Sequence, residues 1–161
     1  MTDIAIRPET PDDHPALDHM IDRAFGPGRY AKASERLREG NTPLAGVGMV
    51  ALGAEGPVGC ARMWPVKVGE TTLAFLGPLA VEADARRAGL GAELVEAACR
   101  AAQAAGFSAV LLVGDLPFFG RVGFEVAAGV TMPGPTDARR ILVRPLVPGG
   151  AEGLVGMARV P

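Results

Sequence analysis

The 161-residue sequence is poor in the residue types that build disulfide frameworks and metal centres, with two cysteines and two histidines. Cys60 and Cys99 are too few and too far apart for a disulfide framework or a zinc site, so we expect inert thiols in the core. His14 and His19 lie five residues apart on one predicted helix, and therefore on different faces of it. The sequence predicts no metal site.

A strong charge of either sign is also missing. Sixteen basic and 18 acidic residues give a formal net charge of −2, whereas a nucleic-acid-binding domain usually carries a basic surplus. No apolar run reaches the roughly 20 residues of a membrane-spanning helix, and the first residues lack the basic and apolar regions of a signal peptide. We therefore expect a cytoplasmic location, without a nucleic-acid or membrane partner.

Glycine and proline, by contrast, are abundant, with 22 and 14 residues. They fall between apolar runs, as loop residues do, and an apolar fraction of 48% argues against disorder. These features predict a single domain over residues 1–161, with its core at about 4–147 and a glycine-rich tail at 148–161.

Hydrophobic periodicity predicts an alternation of strands and helices. The predicted strands lie at residues 4–6, 47–52, 58–66, 72–81, 109–113, 124–126 and 139–144. The predicted helices lie at 10–25, at 30–38, and from Leu90 to about 105, with a short helix or turn at 115–122. Gly77 and Pro78 interrupt the strand at 72–81, which predicts a bulge or bend there.

One segment carries a chemical signature: Arg86-Arg87-Ala88-Gly89-Leu90-Gly91, between a predicted strand and an amphipathic helix. Backbone N–H groups at a helix entrance have no intrahelical partner and lie at the positive end of the helix dipole. Glycine leaves the approach of an anion unblocked, and arginines add donors that suit phosphate oxygens. The segment predicts a pyrophosphate cradle; a plain glycine turn is the alternative.

Two familiar phosphate motifs do not fit this segment. The dinucleotide fingerprint requires a third glycine where this chain has Leu94, and the Gly-Lys-Ser/Thr of a Walker A loop is absent.

The segment resembles the coenzyme A loop of the GNAT superfamily of N-acetyltransferases, which reads Arg/Gln-x-x-Gly-x-Gly/Ala. Residues 76–81, Leu-Gly-Pro-Leu-Ala-Val, are similar to the central strand of a bacterial subgroup. Residues 113–124, with Val-Gly-Asp and Phe-Phe-Gly-Arg-Val-Gly-Phe, are similar to a further segment of that subgroup. The resemblance covers residues 4 to about 156. It implies an α/β GNAT fold, a mixed, mostly antiparallel sheet with a V-shaped splay and helices on both faces.

The resemblance also implies a site. Acetyl-CoA would bind in the splay as cosubstrate, with its pantetheine arm paired to the backbone of Leu79 and Val81. The backbone of Leu79 would polarise the acetyl carbonyl, and a primary amine would attack the thioester directly. The other implied contacts with coenzyme A are Ala80, Arg86, Arg87, Ala88, Gly89, Leu90, Gly91, Ala92, Asp115, Phe118, Phe119 and Arg121.

The sequence departs from the family pattern at Phe119, where many GNAT enzymes have a tyrosine that protonates the leaving thiolate. Three alternatives follow. The thiolate leaves unassisted or is protonated by water, which suits a thiol pKa of about 8.5. Asp115 or Tyr30 replaces the tyrosine. Or the domain is a sensor or regulatory module that binds acyl-CoA without turnover.

The remaining candidates concern the acceptor. Glu70, at the turn before the central strand, is the candidate general base for the amine, with a solvated turn carboxylate as the alternative. Arg29, Tyr30, Lys32 and Glu35 lie in the region that shapes the acceptor side in this family. They either select the substrate or form a polar helix face. The expected acceptor is a small-molecule or peptide amine, and a homodimer is left open.

Overall fold

A seven-stranded sheet forms the centre of the computed structural model, which describes residues 3–85 and 89–161. The strands are β1 (Ala5–Pro8), β2 (Met49–Gly53), β3 (Gly56–Val68), β4 (Thr71–Val81), β5 (Ala109–Val113), β6 (Glu125–Val126), β7 (Val130–Thr131), β8 (Ile141–Pro145) and β9 (Gly156–Met157). The helices are α1 (His14–Phe25), α2 (Leu90–Ala104) and α3 (Leu116–Phe119).

The strands of the large sheet follow the order β1-β2-β3-β4-β5-β8-β6. The β4–β5 pairing is parallel, and the other pairings in this sheet are antiparallel. β7 and β9 form a small parallel sheet of their own. The predicted mixed, mostly antiparallel sheet is confirmed.

The two long helices cover opposite faces of the sheet. Strand residues alternate between the faces, so Ala61 packs with α2 whereas its neighbour Cys60 packs with α1. Burial raises the pKa of Cys60 to about 12 and that of Cys99 to about 11. Both thiols therefore stay protonated and unreactive near neutral pH, as the sequence predicts.

β4 contains the predicted bulge. Ala61 of β3 pairs with Leu79, and Met63 pairs with Leu76, so Gly77 and Pro78 together oppose one residue of β3. The indole Nε1 of Trp64 donates a buried hydrogen bond of 2.6 Å to the carbonyl oxygen of Gly77. This bond satisfies a carbonyl that the bulge removes from the ladder.

The residue opposite the bulge, Arg62, carries a buried charge. Its Nε and Nη2 donate to the two carboxylate oxygens of Glu9 at 3.1 and 2.9 Å, and its Nη1 reaches Asp18 at 3.2 Å. The guanidinium carbon lies 5.1 Å from the centre of the Trp64 ring. Arg62 and Trp64 thus brace the bulged part of β3 and β4 from the α1 side.

β4 and β5 separate soon after they pair. Their pairs are Ala74 with Val110 and Phe75 with Leu111. Beyond these pairs β4 stays with β3 as far as Val81, while β5 stays with β8. The sheet is therefore splayed between the carboxyl ends of two parallel strands.

Two segments differ from the predictions. The predicted helix at 30–38 is two short 3₁₀ turns, Pro27–Ala31 and Ala33–Leu37, because Lys32 between them is extended. The glycine-rich tail is more ordered than its composition indicates. The tail contains β9. Its residues Leu154 and Ala158 are buried, although both lie beyond the predicted core at 4–147.

Replacing Trp64 by phenylalanine is expected to destabilise the fold. Trp64→Phe keeps an aromatic ring near Arg62 but leaves the buried Gly77 carbonyl without its donor, which costs about 1–3 kcal/mol. Urea unfolding followed by circular dichroism measures the change. Phe75→Leu, in the same core cluster, is the control: it shows how much stability is lost when buried ring area is removed and no hydrogen bond is broken. An unchanged unfolding midpoint in Trp64→Phe would show that the bond does not stabilise the bulge.

Candidate active site

A cleft of about 590 Å³ opens where β4 and β5 diverge. Phe75 and Leu76 both line it, although one packs in the core cluster on the Trp64 side and the other in the cluster on the α2 side. Two residues of β5 also line the cleft from different sides: Val113 packs against the cluster on the Trp64 side, and Leu112 belongs to the cluster on the α2 side. The cleft is therefore lined by residues that pack on both faces of the sheet.

The backbone of Leu79 faces this cleft. Glu82 N donates to Val58 O at 2.8 Å, so the backbone of Glu82 points toward β3. Backbone groups alternate between the two edges of a strand. Leu79, three residues earlier, therefore directs its N–H and carbonyl away from β3, toward the side that β5 has left. A strand edge with available donors and acceptors can pair with an extended ligand.

The amino end of α2 lies beside Leu79. Gly89 is the N-cap, with φ +85°, and its carbonyl accepts a 2.9 Å bond from Glu93 N. A Cβ atom placed on Gly91 would lie 3.5 Å from Phe118 Cζ and 4.0 Å from Leu79 Cδ2. The structure thus brings together Leu79, Gly91 and Phe118, three residues of the predicted coenzyme A site. The predicted contacts Arg86, Arg87 and Ala88 lie outside the described residues.

The other predicted contacts divide between the surface and the core. Leu90 and Ala80 are buried, Ala92 is half-buried against the core, and Arg121 is exposed and does not line the cleft. Val81 ends β4 opposite Gly59.

An aromatic wall closes the α3 side of the cleft. The rings of Phe118 and Phe119 meet edge to face with centroids 4.8 Å apart, and Phe124 packs behind Phe119 at 5.7 Å. A Cβ on Gly114 would lie 2.5 Å from the Phe119 ring, so the backbone there fits closely against it. Phe119, which the sequence resemblance aligns with the family's tyrosine, lines the cleft, and a phenyl ring offers no proton.

Of the two substitutes considered for that tyrosine, one reaches the cleft. Asp115 lines it from the N-cap position of α3, where its side chain makes no capping bond. Tyr30 is 48% exposed and does not line the cleft. Its hydroxyl accepts a 2.7 Å bond from Arg29 Nη2 and lies 3.2 Å from the Asp22 carboxylate.

Glu70 lies far from the cleft. It is exposed in the tight turn between β3 and β4, nine residues before Leu79 on an extended strand. At the rise of a β-strand this separation is about 30 Å. The structure therefore does not bring Glu70 to Leu79, and we assign it no part in the site.

Cationic side chains surround the opening on the Trp64 side. Arg29, Lys32, Arg38 and Arg140 line the cleft there, together with the carboxylate of Asp137. The sequence predictions name Arg29 and Lys32 but miss Arg38 and Arg140. The signal for Arg38 is its position three residues after Glu35, a spacing that pairs side chains on a helical turn. Arg140 donates to Gly114 O at 3.3 Å.

Two kinds of feature are not found in the part of the chain that the structure describes. None of its helices is long and apolar enough to cross a membrane. Its histidine, cysteine and acidic side chains form no group of three that could hold a metal ion.

Comparison with known proteins agrees with this architecture. The sequence model of the acetyltransferase (GNAT) family matches residues 14–124. The uncharacterised N-acetyltransferase YhbS of Escherichia coli K12 is 36% identical over 126 residues, which span 76% of this chain and 74% of YhbS.

Solved structures are similar over most of the chain. The crystal structure of Escherichia coli YhbS in complex with CoA has a TM-score of 0.84 and 30% identity, over 100% of this chain and 91% of that one. A GNAT family acetyltransferase from Brucella melitensis, in complex with acetyl-CoA, shares the fold, with a TM-score of 0.64, 23% identity, and coverage of 87% and 94%. The chain therefore belongs to the acetyltransferase (GNAT) family of N-acetyltransferase enzymes.

Proposed function

We propose that this protein transfers an acetyl group from acetyl-CoA to the primary amine of a small-molecule or peptide acceptor. The observation that carries the proposal is the outward backbone of Leu79, which lies beside the amino end of α2 in a cleft lined from both faces of the sheet. The relatives in complex with CoA and with acetyl-CoA support the choice of cosubstrate.

The residues of the cleft fit a thioester with a long, extended arm. The edge of β4 at Leu79 supplies backbone groups for amides of the arm, and the first turn of α2 supplies N–H donors for its pyrophosphate. The small residues Gly89 and Gly91 leave that approach free of side chains. The N–H of Leu79 is the donor for the acetyl carbonyl oxygen, whose negative charge grows as the amine adds.

The transfer needs little acid–base assistance from the chain. The neutral amine forms the C–N bond at the carbonyl carbon, the C–S bond breaks, and the electron pair leaves with the thiolate. The nitrogen loses one proton to water. A thiolate with a pKa near 8.5 is an adequate leaving group without an acid, which agrees with the phenyl ring of Phe119 in the position of the tyrosine.

Amine-dependent release of coenzyme A tests the proposal. Purified protein is incubated with acetyl-CoA and a panel of amines, and free thiol is followed with a disulfide reagent. The two buried cysteines add little background, since burial raises the pKa of each thiol well above neutral. Release that depends on an amine, with the acetylated amine found by mass spectrometry, supports transfer. Binding of acetyl-CoA without any such release would favour the alternative function, a sensor or regulatory module that binds acyl-CoA without turnover.

Gly89→Val is expected to weaken coenzyme A binding at least about tenfold. The φ of +85° suits glycine, and a β-branched residue would shift the backbone where the N–H groups point outward. Calorimetric titration with coenzyme A measures the affinity.

Gly106→Val is the matched control for Gly89→Val. Gly106 has φ +96°, faces open space as Gly89 does, and follows the other end of α2. We expect a similar loss of stability and an unchanged affinity. Equal affinity of Gly89→Val and the original protein would contradict the pyrophosphate cradle.

Phe119→Tyr is expected to preserve turnover or raise it. Phe119 lines the cleft, so a hydroxyl on its ring can protonate the departing thiolate, a contribution worth about 100-fold or more where proton transfer limits the rate. Phe124→Tyr, whose ring packs behind Phe119 and does not line the cleft, is the control and should give no gain. Loss of activity in Phe119→Tyr, with fold and coenzyme A affinity intact, would contradict the alignment of Phe119 with the family tyrosine.

A further inference from the structure

We propose that the acceptor is a small primary amine that carries a carboxylate, and that Arg38 Nη1 receives the carboxylate. The inference rests on the proposed function and names the class of its acceptor. It depends on the position of Arg38, on its hydrogen bonds and on the charges around the cleft.

Arg38 is a buried cation with one arm left over. Its side chain is 9% exposed, and both Nε and Nη2 donate to the same oxygen of Glu35, Oε2, at 3.1 and 2.9 Å. Among residues 3–85 and 89–161, Nη1 has no hydrogen-bond partner. A guanidinium has five N–H donors in a rigid fork, so an edge of Arg38 remains available to a ligand in the cleft that Arg38 lines.

The free arm points toward the reacting end of β4. Arg38 Nη1 lies 3.2 Å from the place that a Cβ on Gly77 would occupy. Leu79 follows two residues later, across the bulge, so the two Cα atoms lie at most about 7 Å apart. An anion bound at Nη1 would therefore be only a few bonds from an amine at the Leu79 carbonyl site. This spacing suits a short amino acid better than a long polyamine or a sugar.

The charges on this side of the sheet favour an anion. Four cationic side chains line the cleft against two carboxylates. Arg29 is paired with Asp22, Arg38 with Glu35 and Asp137 with Arg139, each at 2.9 Å. The lining charges outside these pairs are Lys32 and Arg140 against Asp115, an excess of one positive charge. Burial lowers the pKa of Arg38 despite Glu35, and the positive charges of Arg29 and Arg62 lower it further. A carboxylate of the acceptor would compensate the charge of Arg38. An acceptor with a second amine and no carboxylate would be repelled by that charge.

The acceptor preference is measured with matched pairs of amines. The panel contains glycine, β-alanine and γ-aminobutyrate, each beside its own amide, and coenzyme A release is followed at saturating acetyl-CoA. The amide partners have the same length and lack the negative charge. We expect the acids to have KM values at least about tenfold lower than the amides. A hydrogen bond between charged groups usually contributes enough free energy for a difference of this size.

Variants at Arg38 locate the preference. Arg38→Gln should raise the KM of the acids at least about tenfold and change the amides little, with an unaltered KM for acetyl-CoA. Because this variant leaves Glu35 buried without its partner, the double variant Glu35→Gln with Arg38→Gln keeps a neutral pair and should show the same loss. Arg38→Lys should recover part of the preference, since it restores the charge without the fork.

Arg100→Gln is the control for charge. Arg100 is exposed on α2 and does not line the cleft. Its removal takes away the same formal charge from the protein while Asp137 keeps its partner Arg139, and should leave the preference for acids unchanged.

The possible failures are distinguishable. Release with amines of both kinds but no preference for the acids, or a preference that survives Arg38→Gln, would overturn the carboxylate site and leave the proposed function standing. If none of the amines causes release of coenzyme A, the proposed function is overturned. Calorimetry with N-acetyl-β-alanine on coenzyme A-loaded protein then decides the carboxylate site. Binding that Arg38→Gln abolishes would support it, and absent or unaffected binding would overturn it.

Discussion

The site depends on one interruption of the sheet, the bulge at Gly77 and Pro78. Two residues of β4 there oppose one residue of β3, which bends the strand. The Trp64 indole supplies the hydrogen bond that the Gly77 carbonyl loses. Past this point β4 keeps to β3 and β5 keeps to β8, so the backbone edge at Leu79 faces a cleft in place of a strand. If β4 and β5 stayed paired along their whole length, the N–H and carbonyl of Leu79 would form hydrogen bonds within the sheet.

The split gives the two faces of the sheet different chemistry. On the α2 side, Leu79 and Gly91 lie beside a helix amino end and an aromatic ring, Phe118, which suits an extended arm that ends in phosphates. On the Trp64 side, Arg38 and its cationic neighbours surround the opening. Because residues from both faces line the cleft, it offers room beside Leu79 for two ligands. Holding both in place supplies much of the rate enhancement in a direct transfer.

Local signals predicted most of this frame, whereas the acceptor side required the tertiary structure. Gly77-Pro78 inside an apolar strand predicts the bulge because proline cannot donate to the ladder. The four-residue repeat of apolar side chains predicts α2. By contrast, nothing near Glu70 in sequence tells at which end of β4 the cleft opens. Arg38 reaches the site through its proximity to Gly77, which lies far along the chain. The glycine-rich tail gains order from contacts that are also distant in sequence, the pairing of β9 with β7 and the bridge between Lys67 and Arg159.

The packing around Phe119 explains how an acyltransferase site can work without the family's tyrosine. The ring is held between Phe118, Phe124 and the backbone of Gly114, so its position in the wall of the cleft is fixed. An apolar wall offers no group that competes for the hydrogen bond from Leu79 to the developing oxyanion. Since a thiolate is a far better leaving group than an alkoxide, stabilising the oxyanion contributes more here than protonating the sulfur. On the proposed function, Phe119 therefore supplies an apolar wall beside the oxyanion and no acid for the thiolate.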